Sequence, residues 1–431
     1  MRVLLVSWEY PPVVVGGLGR HVGHLAVELA RAGHDVVVLT RRPAGTDALS
    51  HPTSDVRTDG VRVLAVAEDP PEFEFGQDMM AWTLAMGHSF VRTGLRILAA
   101  EEDSRWIPEV VHAHDWLVAH PAIALAELFD VPLVSTFHAT EAGRHSGWIS
   151  GRVNRQVHSV EWWLAAESDS IITCSASMCD EVTRLFGPDD DHRAGSARTG
   201  HRLADITVIP NGIDTQAWPF ADRPARSAAP ELLFAGRLEY EKGVQDLLAA
   251  LPRIRRTHPG TTLTVAGTGT QVQWLIDTAR RHRVTKAVTF LGAVDHEQLV
   301  TLMHRCSALV LPSRYEPFGI VALEAAATGA PLVVSTAGGL GEAVSESLTG
   351  LTFAPGDIAG LAAAVRTTLT DPDQAQERAR AARQRLADDF SWRRIAQLTA
   401  EVYVSAKRGV RTPKGRPVIP QRPLPDRDPG R

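Results

Sequence analysis

Short apolar blocks alternate with amphipathic stretches along this chain, in two successive series. In the first, an apolar run over residues 2–7 precedes Val22, Leu25, Ala26, Leu29 and Ala30, which recur at i, i+3, i+4, i+7 and i+8. That spacing is the buried stripe of an amphipathic helix. Gly33 follows it, where a residue of positive φ commonly ends a helix. The run over 35–39 is apolar without alternation, as a strand covered on both faces of a parallel sheet requires. Further strands are predicted at 61–67, 110–114, 133–137 and 170–174, with helical patterns between them.

The second series begins near Glu231, with strands at 232–235, 262–266, 288–291, 308–311, 332–335 and 351–353. Helical stretches separate them, including 244–255, 271–283, 297–305 and 317–327. Two consecutive β/α series predict an α/β protein of two doubly wound, Rossmann-like domains facing a cleft. The N-terminal domain is placed at 1–208, a linker rich in Pro, Ala and Arg at 209–230, and the C-terminal domain at 231–392. The stretch 373–389 reads as a helix, and a helical pattern over 393–407 is long enough to cross back to the first domain. Residues 187–205 read as a mobile polar insertion, and 408–431, which alternates Pro with Arg, Lys and Gly, as a disordered tail.

A length of 431 residues favours two cores over one. The net charge of -5, from 45 basic and 50 acidic residues, gives no basic surface for nucleic acid. No 18-residue apolar run is free of charge, so no integral membrane span is expected. Cys174, Cys179 and Cys306 have no metal-ligand spacing, and their odd number suits a reducing compartment. The apolar start is too short for a signal peptide, so a cytoplasmic protein is expected.

Candidate chemistry gathers where strands run into helices. Gly16, Gly17 and Gly19 lie between the first strand and first helix, where glycine lets backbone N–H groups approach an anion. A dinucleotide site wants G-x-G-x-x-G and an acidic end to the second strand. Val22 holds the third glycine position and Thr40, Arg41 and Arg42 end that strand, which weakens a hydride-transfer reading and leaves a plain tight turn as the bland alternative. Arg237 and Lys242 follow the first strand of the second domain, a fork and a point charge suited to a diphosphate. The alternative there is surface pairing with Glu239 and Glu241.

Seven residues separate Glu316 from Glu324, and Pro317 directly follows the first. Proline suits the first helical position and pushes the residue before it out of the helical region. The expectation is Glu316 at the mouth of a helix and Glu324 two turns down, about 12 Å along the axis. That span suits a sugar at one end and a nucleoside at the other, with the helix N-terminus facing a diphosphate. A surface helix carrying two glutamates is the alternative.

His112, His114 and Asp115 end another strand. The H-x-H-x-D-H pattern of binuclear hydrolases would need Asp and His where the chain has Trp116 and Leu117, so a hydrogen-bonded strand end lining the cleft is preferred to a metal site. Asp189, Asp190 and Asp191 lie in a polar stretch and read as solvated charge. No metal and no cofactor is expected. His138 follows the strand at 133–137, where the carboxyl edge favours a substrate contact over a purely structural histidine. Gly338, Gly339, Gly341 and Glu342 open a further helix, either as a ligand edge or simply as its start.

Together and in this order, the glycine loop at 16–19, Arg237 with Lys242, and the E-x7-E element Glu316 to Glu324 resemble the retaining glycosyltransferases of family 4, of GT-B architecture. The likeness spans roughly residues 1–407, judged by that ordered series of motifs. The stretches from Val6 to Pro12, from Val14 to His21, from His112 to Trp116 and from His138 to Trp148 are similar to those of actinobacterial α-1,4-glucosyltransferases of glycogen and methylglucose-lipopolysaccharide synthesis. The resemblance implies that Arg237 and Lys242 hold the donor diphosphate and stabilise the leaving group. It implies that Gly17 approaches the phosphate or acceptor through its N–H, and that Glu316 binds the donor hexose with help from the backbone of Phe318, Gly319 and Ile320. Glu324 would bind ribose, the backbone near Val294 the base, and His138 would sit by the reacting centre. Glu316, His138, Arg237 and Lys242 form the implied catalytic set.

The implied reaction moves glucose, with retention, from UDP-glucose or ADP-glucose to an α-1,4-glucan or methylglucose polysaccharide precursor. It proceeds by front-face substitution in which the leaving diphosphate takes the acceptor's proton, without metal. Retaining glycosidases instead place two carboxylates about 5 Å apart. The alternatives are a mannosyl- or other hexosyltransferase acting on a lipid or inositol acceptor, and a non-catalytic nucleotide-sugar-binding protein. The first domain lacks a strongly basic, aromatic-rich amphipathic stretch, which counts against a membrane acceptor. Donor base, acceptor length and oligomeric state are not legible.

Overall fold

The computed structural model describes residues 1–13, 16–42, 52–67, 72–98, 106–145, 147–187, 203–222 and 229–408. Most of the polar insertion and tail expected above, and part of the linker, lie outside them. In the first half the apolar blocks become β1 (Arg2–Ser7), β2 (Asp35–Arg41), β3 (Ser54–Thr58), β4 (Val61–Val66), β5 (Val110–His114), β6 (Leu133–Phe137), β7 (Ser170–Thr173) and β8 (Ile206–Val208). Their order across the sheet is β3-β4-β2-β1-β5-β6-β7-β8. All pairings are parallel except β3 with β4, a hairpin turned by Asp59 and Gly60, both at positive φ. Two positive-φ residues match the twist of such a hairpin, which is why an Asp-Gly pair stands there.

The second half gives β9 (Glu231–Ala235), β10 (Thr262–Ala266), β11 (Val288–Gly292), β12 (Ala308–Leu311), β13 (Leu332–Ser335) and β14 (Leu351–Phe353). They form a wholly parallel sheet ordered β11-β10-β9-β12-β13-β14. Parallel strands must be joined by crossovers, so helices cover both faces and the strand residues are buried on both. Winding reverses between β1 and β5 in one sheet and between β9 and β12 in the other. At such a switch point the connections leave in opposite directions and open a crevice at the carboxyl ends. The loops after β1, β5, β9 and β12 are therefore where ligands are to be sought.

The chain crosses between the halves twice. The outward passage runs through Asn211 to Ile213, and the return enters the helix Trp392–Arg408. The passages touch: the Ile213 N–H donates to the Phe390 carbonyl at 2.8 Å, and a Cβ on Gly212 would meet the Trp392 ring at 2.5 Å. The returning helix buries Ile395, Ala396, Val402 and Tyr403 against Val3, Leu5, Val22 and Leu25. Tyr403 is fully buried, and its hydroxyl lies 2.7 Å from His112 Nδ1. The other ring nitrogen of His112 is 2.7 Å from Thr136 Oγ1. His112 is thus a saturated core residue beneath the crossing helix.

One helix differs from expectation. It runs from Ile320 to Thr328 rather than from Pro317, so Glu316 and Glu324 do not share it. The cause is Gly319, whose φ of 92° has no place in a helix and ends the preceding loop. The fixed φ of Pro317 suits a loop as well as a helix start, and its carbonyl accepts a hydrogen bond from Ser175 across the domain boundary.

The crossing helix yields a prediction. Tyr403→Phe keeps the ring but leaves a nitrogen of His112 buried and unpaired. It is expected to destabilise the protein by about 1–3 kcal/mol, seen as a lower denaturant midpoint. An unchanged midpoint would show that the Tyr403–His112 bond does not hold the helix to the sheet.

Candidate active site

Both switch points open onto the same cleft. On the second domain, β9 leads through Gly236 and Arg237 into a short 3-10 turn, Tyr240–Lys242. Gly243 follows at φ 72°, where a Cβ would overlap the Pro312 carbonyl oxygen at 1.8 Å. Only glycine lets the β9 loop press this closely on the β12 loop, and the result brings Lys242 to Glu316. Lys242 Nζ donates to Glu316 Oε2 at 2.9 Å, and Ser313 Oγ donates to the same oxygen at 3.2 Å. Lys242 and Glu316 are both largely buried. Arg314 forks onto Asp246 with two bonds of 2.9 Å, fixing the loop from its other side.

Arg237 stays more than half exposed and among the described residues pairs with its neighbour Glu241, at 3.1 Å. Surface pairing thus describes Arg237 here, but not Lys242, whose partner comes from another strand's loop. Phe318 is buried against Phe390, and Val294 is partly buried at the edge of the same core. Both side chains belong to packing.

Glu324, in the second turn of its helix, is 2% exposed. Its cation comes from the first domain: Arg20 Nη1 donates to Glu324 Oε1 at 2.8 Å. Burial pushes the Glu324 carboxyl above its usual range, and the guanidinium works against that shift. Gly17 lies beside this pair, where a Cβ would come within 2.8 Å of Ile320 Cδ1, the movable end of that side chain. Further bonds close the cleft. Ser175 Oγ donates to the Pro317 carbonyl at 2.7 Å. The Ala176 and Ser177 N–H groups, opening the helix Ala176–Phe186, both donate to the Glu342 carboxylate at 2.8 Å. Tyr315 Oη donates to Glu181 at 3.0 Å.

On the first domain, His138 follows β6 and its backbone N–H donates to Asp115 Oδ1 at 2.7 Å. Asp115 is itself in the left-handed region at φ 62°, just after β5. Burial pushes its carboxyl up to about 6, with the His138 N–H opposing. His138 Nε2 lies 3.1 Å from His114 Nδ1. His21, one helical residue beyond Arg20, joins them, with its Nδ1 2.8 Å from Asn211 Oδ1. One nitrogen from each of His21, His114 and His138 lies within 4.8 Å of the other two. Burial holds His138 down to about 4 and takes His21 and His114 well below the usual imidazole range. All three are neutral at pH 7. His114 Nε2 is buried without a hydrogen-bond partner among the described residues, a deficit worth about 1–3 kcal/mol.

The structure therefore brings Lys242 with Glu316, and Gly17 with Ile320, and sets His138 in an imidazole cluster. It leaves Arg237 at the rim. Arg20, His21 and Asn211 are cleft residues that the sequence reading did not single out for the site. The pairs Arg20–Glu324 and His21–Asn211 span 304 and 190 residues, and no local pattern announces them. Chemically, one wall offers cations and a carboxylate for an anionic, hydroxyl-bearing ligand. The other offers neutral imidazoles, which exchange hydrogen bonds without adding charge.

Comparison with known proteins bears on the family and the fold. The profile of the Glycosyltransferase Family 4 matches residues 15–217, and that of the Glycosyl transferases group 1 matches residues 220–385. A glycogen synthase of Mycobacterium tuberculosis is 65% identical over 427 residues, covering 99% of this chain and 100% of that protein. Among solved structures, sucrose-phosphate synthase from Thermosynechococcus elongatus has a TM-score of 0.75 at 24% identity, covering 94% of this chain and 98% of that one. The catalytic domain of starch synthase IV from Arabidopsis thaliana, bound to ADP and acarbose, has a TM-score of 0.69 at 20% identity, covering 94% and 99%. Those two likenesses are of fold. With a relative this similar along its whole length and a glycosyltransferase profile on each domain, the chain belongs to the family 4, group 1 glycosyltransferases.

Proposed function

We propose that this protein is a metal-independent, retaining glucosyltransferase that moves glucose from UDP-glucose or ADP-glucose to the end of an α-1,4-glucan or methylglucose polysaccharide precursor. The observation that carries the reading is the buried Lys242–Glu316 pair at the switch point of the second sheet, 2.9 Å apart. The name of the Mycobacterium tuberculosis relative, glycogen synthase, supports the glucan acceptor. No helix among the described residues is long and apolar enough to cross a membrane.

In this reading Lys242 and Arg237 take the donor diphosphate, and Arg237 turns from Glu241 to do so. Glu316, already oriented by Lys242 and Ser313, binds hexose hydroxyls, with the N–H groups at Gly319 and Ile320 beside it. Glu324 binds the ribose, which requires Arg20 to give up its place at that carboxylate. The backbone near Val294 meets the base, and Gly17 presents its N–H to the phosphate or acceptor. As the glycosidic bond breaks, charge grows on the diphosphate, where the cations are concentrated. The departing phosphate oxygen takes the acceptor proton while the acceptor attacks from the same face. His138, neutral, contacts the hexose near the reacting carbon.

Lys242→Ala is expected to lower kcat/KM by about 10²–10³-fold, the scale for losing one preorganised donor from a site of developing charge. Full turnover in that variant would remove the diphosphate assignment. Glu324→Gln should act mainly on donor KM, raising it about 10-fold or more, because a hydrogen bond to a charged group contributes about 1.5–3 kcal/mol. A change confined to kcat would argue against a ribose contact. The reaction itself is tested by nucleoside diphosphate release from each donor with and without maltooligosaccharide, followed by linkage analysis. Donor binding without acceptor-dependent release would reduce the protein to a nucleotide-sugar binder.

A further inference from the structure

The imidazole cluster is assembled from three separate elements. His21 comes from the helix Gly17–Arg31, His114 from the end of β5 and His138 from the residue after β6. Their nearest ring nitrogens are all within 4.8 Å of one another, and His114 Nδ1 to His138 Nε2 is 3.1 Å. A tetrahedral zinc ion with bonds of about 2.0–2.1 Å holds its nitrogen ligands roughly 3.3 Å apart. One edge of the triangle is already close to that length. The others need a closure of about 1.5 Å at most, which side-chain rotation of an imidazole provides.

The surroundings favour the same use. Asn211 Oδ1, at 2.8 Å, takes the Nδ1 proton of His21 and leaves its Nε2 as a lone pair. That is the arrangement by which a second residue fixes the tautomer of a metal-binding histidine. The His114–His138 contact needs one shared proton, and a cation in its place would take both lone pairs. All three ligands are imidazole nitrogens, a set suited to Zn²⁺, Cu²⁺ or Ni²⁺ and poorly suited to Mg²⁺, Ca²⁺ or Mn²⁺.

We propose that His21, His114 and His138 form a binding site for a borderline transition-metal ion, Zn²⁺ being the representative, with a fourth position open to the cleft. The ion has no part in glucosyl transfer. Resting on the reading of His138 given above, it occupies that side chain and acts as an inhibitor competing with the donor hexose.

The test uses the full chain, freed of metal with a chelator, and Zn²⁺ titrated in competition with a chromophoric chelator, without donor or acceptor. One ion per chain is expected, undisturbed by excess Mg²⁺. His21→Gln and His114→Gln should each abolish it, and Asn211→Ala should weaken it about 10–100-fold, as for loss of a supporting hydrogen bond. Circular dichroism checks that each variant is folded. Should a variant not fold, Co²⁺ bound to the unaltered chain gives the answer: intense visible bands mark a four-coordinate site, weak ones a six-coordinate surface ion. No saturable binding to the folded chain, weak Co²⁺ bands, or full affinity in His21→Gln would overturn the proposal. Because the readout is binding alone, its failure leaves the transferase reading standing. Loss of acceptor-dependent transfer would equally leave the zinc site untouched.

Discussion

A carboxylate shut away from water needs a cation or several hydrogen-bond donors beside it, and Glu324 finds its cation in the other domain. Arg20 reaches it from a helix whose start, at Gly17, lies against Ile320. The remaining cross-cleft bonds follow from that apposition. Glu342 caps the helix Ala176–Phe186, Ser175 meets the Pro317 carbonyl, and Tyr315 meets Glu181. Several of these partners sit on the same loops that carry the site. These cross-cleft bonds form together, and parting the two walls would expose the Glu324 carboxylate to water and free Arg20.

The two crossings of the chain give this arrangement its pivot. Ile213 and Phe390 are bonded side by side, and Trp392 lies on Gly212. The helix Trp392–Arg408 then belongs by packing to the first domain, although it follows the second in sequence. Motion of the domains must therefore bend both strands of the connection together, close to Asn211. Asn211, beside this connection, also holds His21, so the crossing and the imidazole cluster meet at one hydrogen bond.

The parallel sheets were legible because strands buried on both faces read as unbroken apolar runs. β3 was not, since four of its five residues are exposed and it lies at the sheet edge, and the Asp59–Gly60 turn before β4 was not singled out. The start of the helix at Ile320 was misread because Pro317 restricts φ in a loop as well as at a helix start. Gly319, two residues later, held the deciding signal. The motifs led to Lys242, Glu316, Glu324 and His138, since each lies near a strand's carboxyl end. Their partners were not legible, because Arg20, Asn211 and the Lys242–Glu316 contact depend on which loops the sheet order makes neighbours.

The charge pattern of the cleft carries a last consequence for the proposed reaction. Cations are held on the side assigned to the diphosphate, while the opposite wall presents imidazoles that burial keeps neutral. Had they been protonated, His138 and the two imidazoles packed on it would set positive charge beside a sugar ring that, in the proposed reaction, itself becomes positive as the bond breaks. Neutral rings avoid that opposition and still accept or donate hydrogen bonds. In the proposed reaction, burial of the histidines would then serve the same end as the placement of Lys242, biasing the site toward charge separation with the negative end on the phosphate.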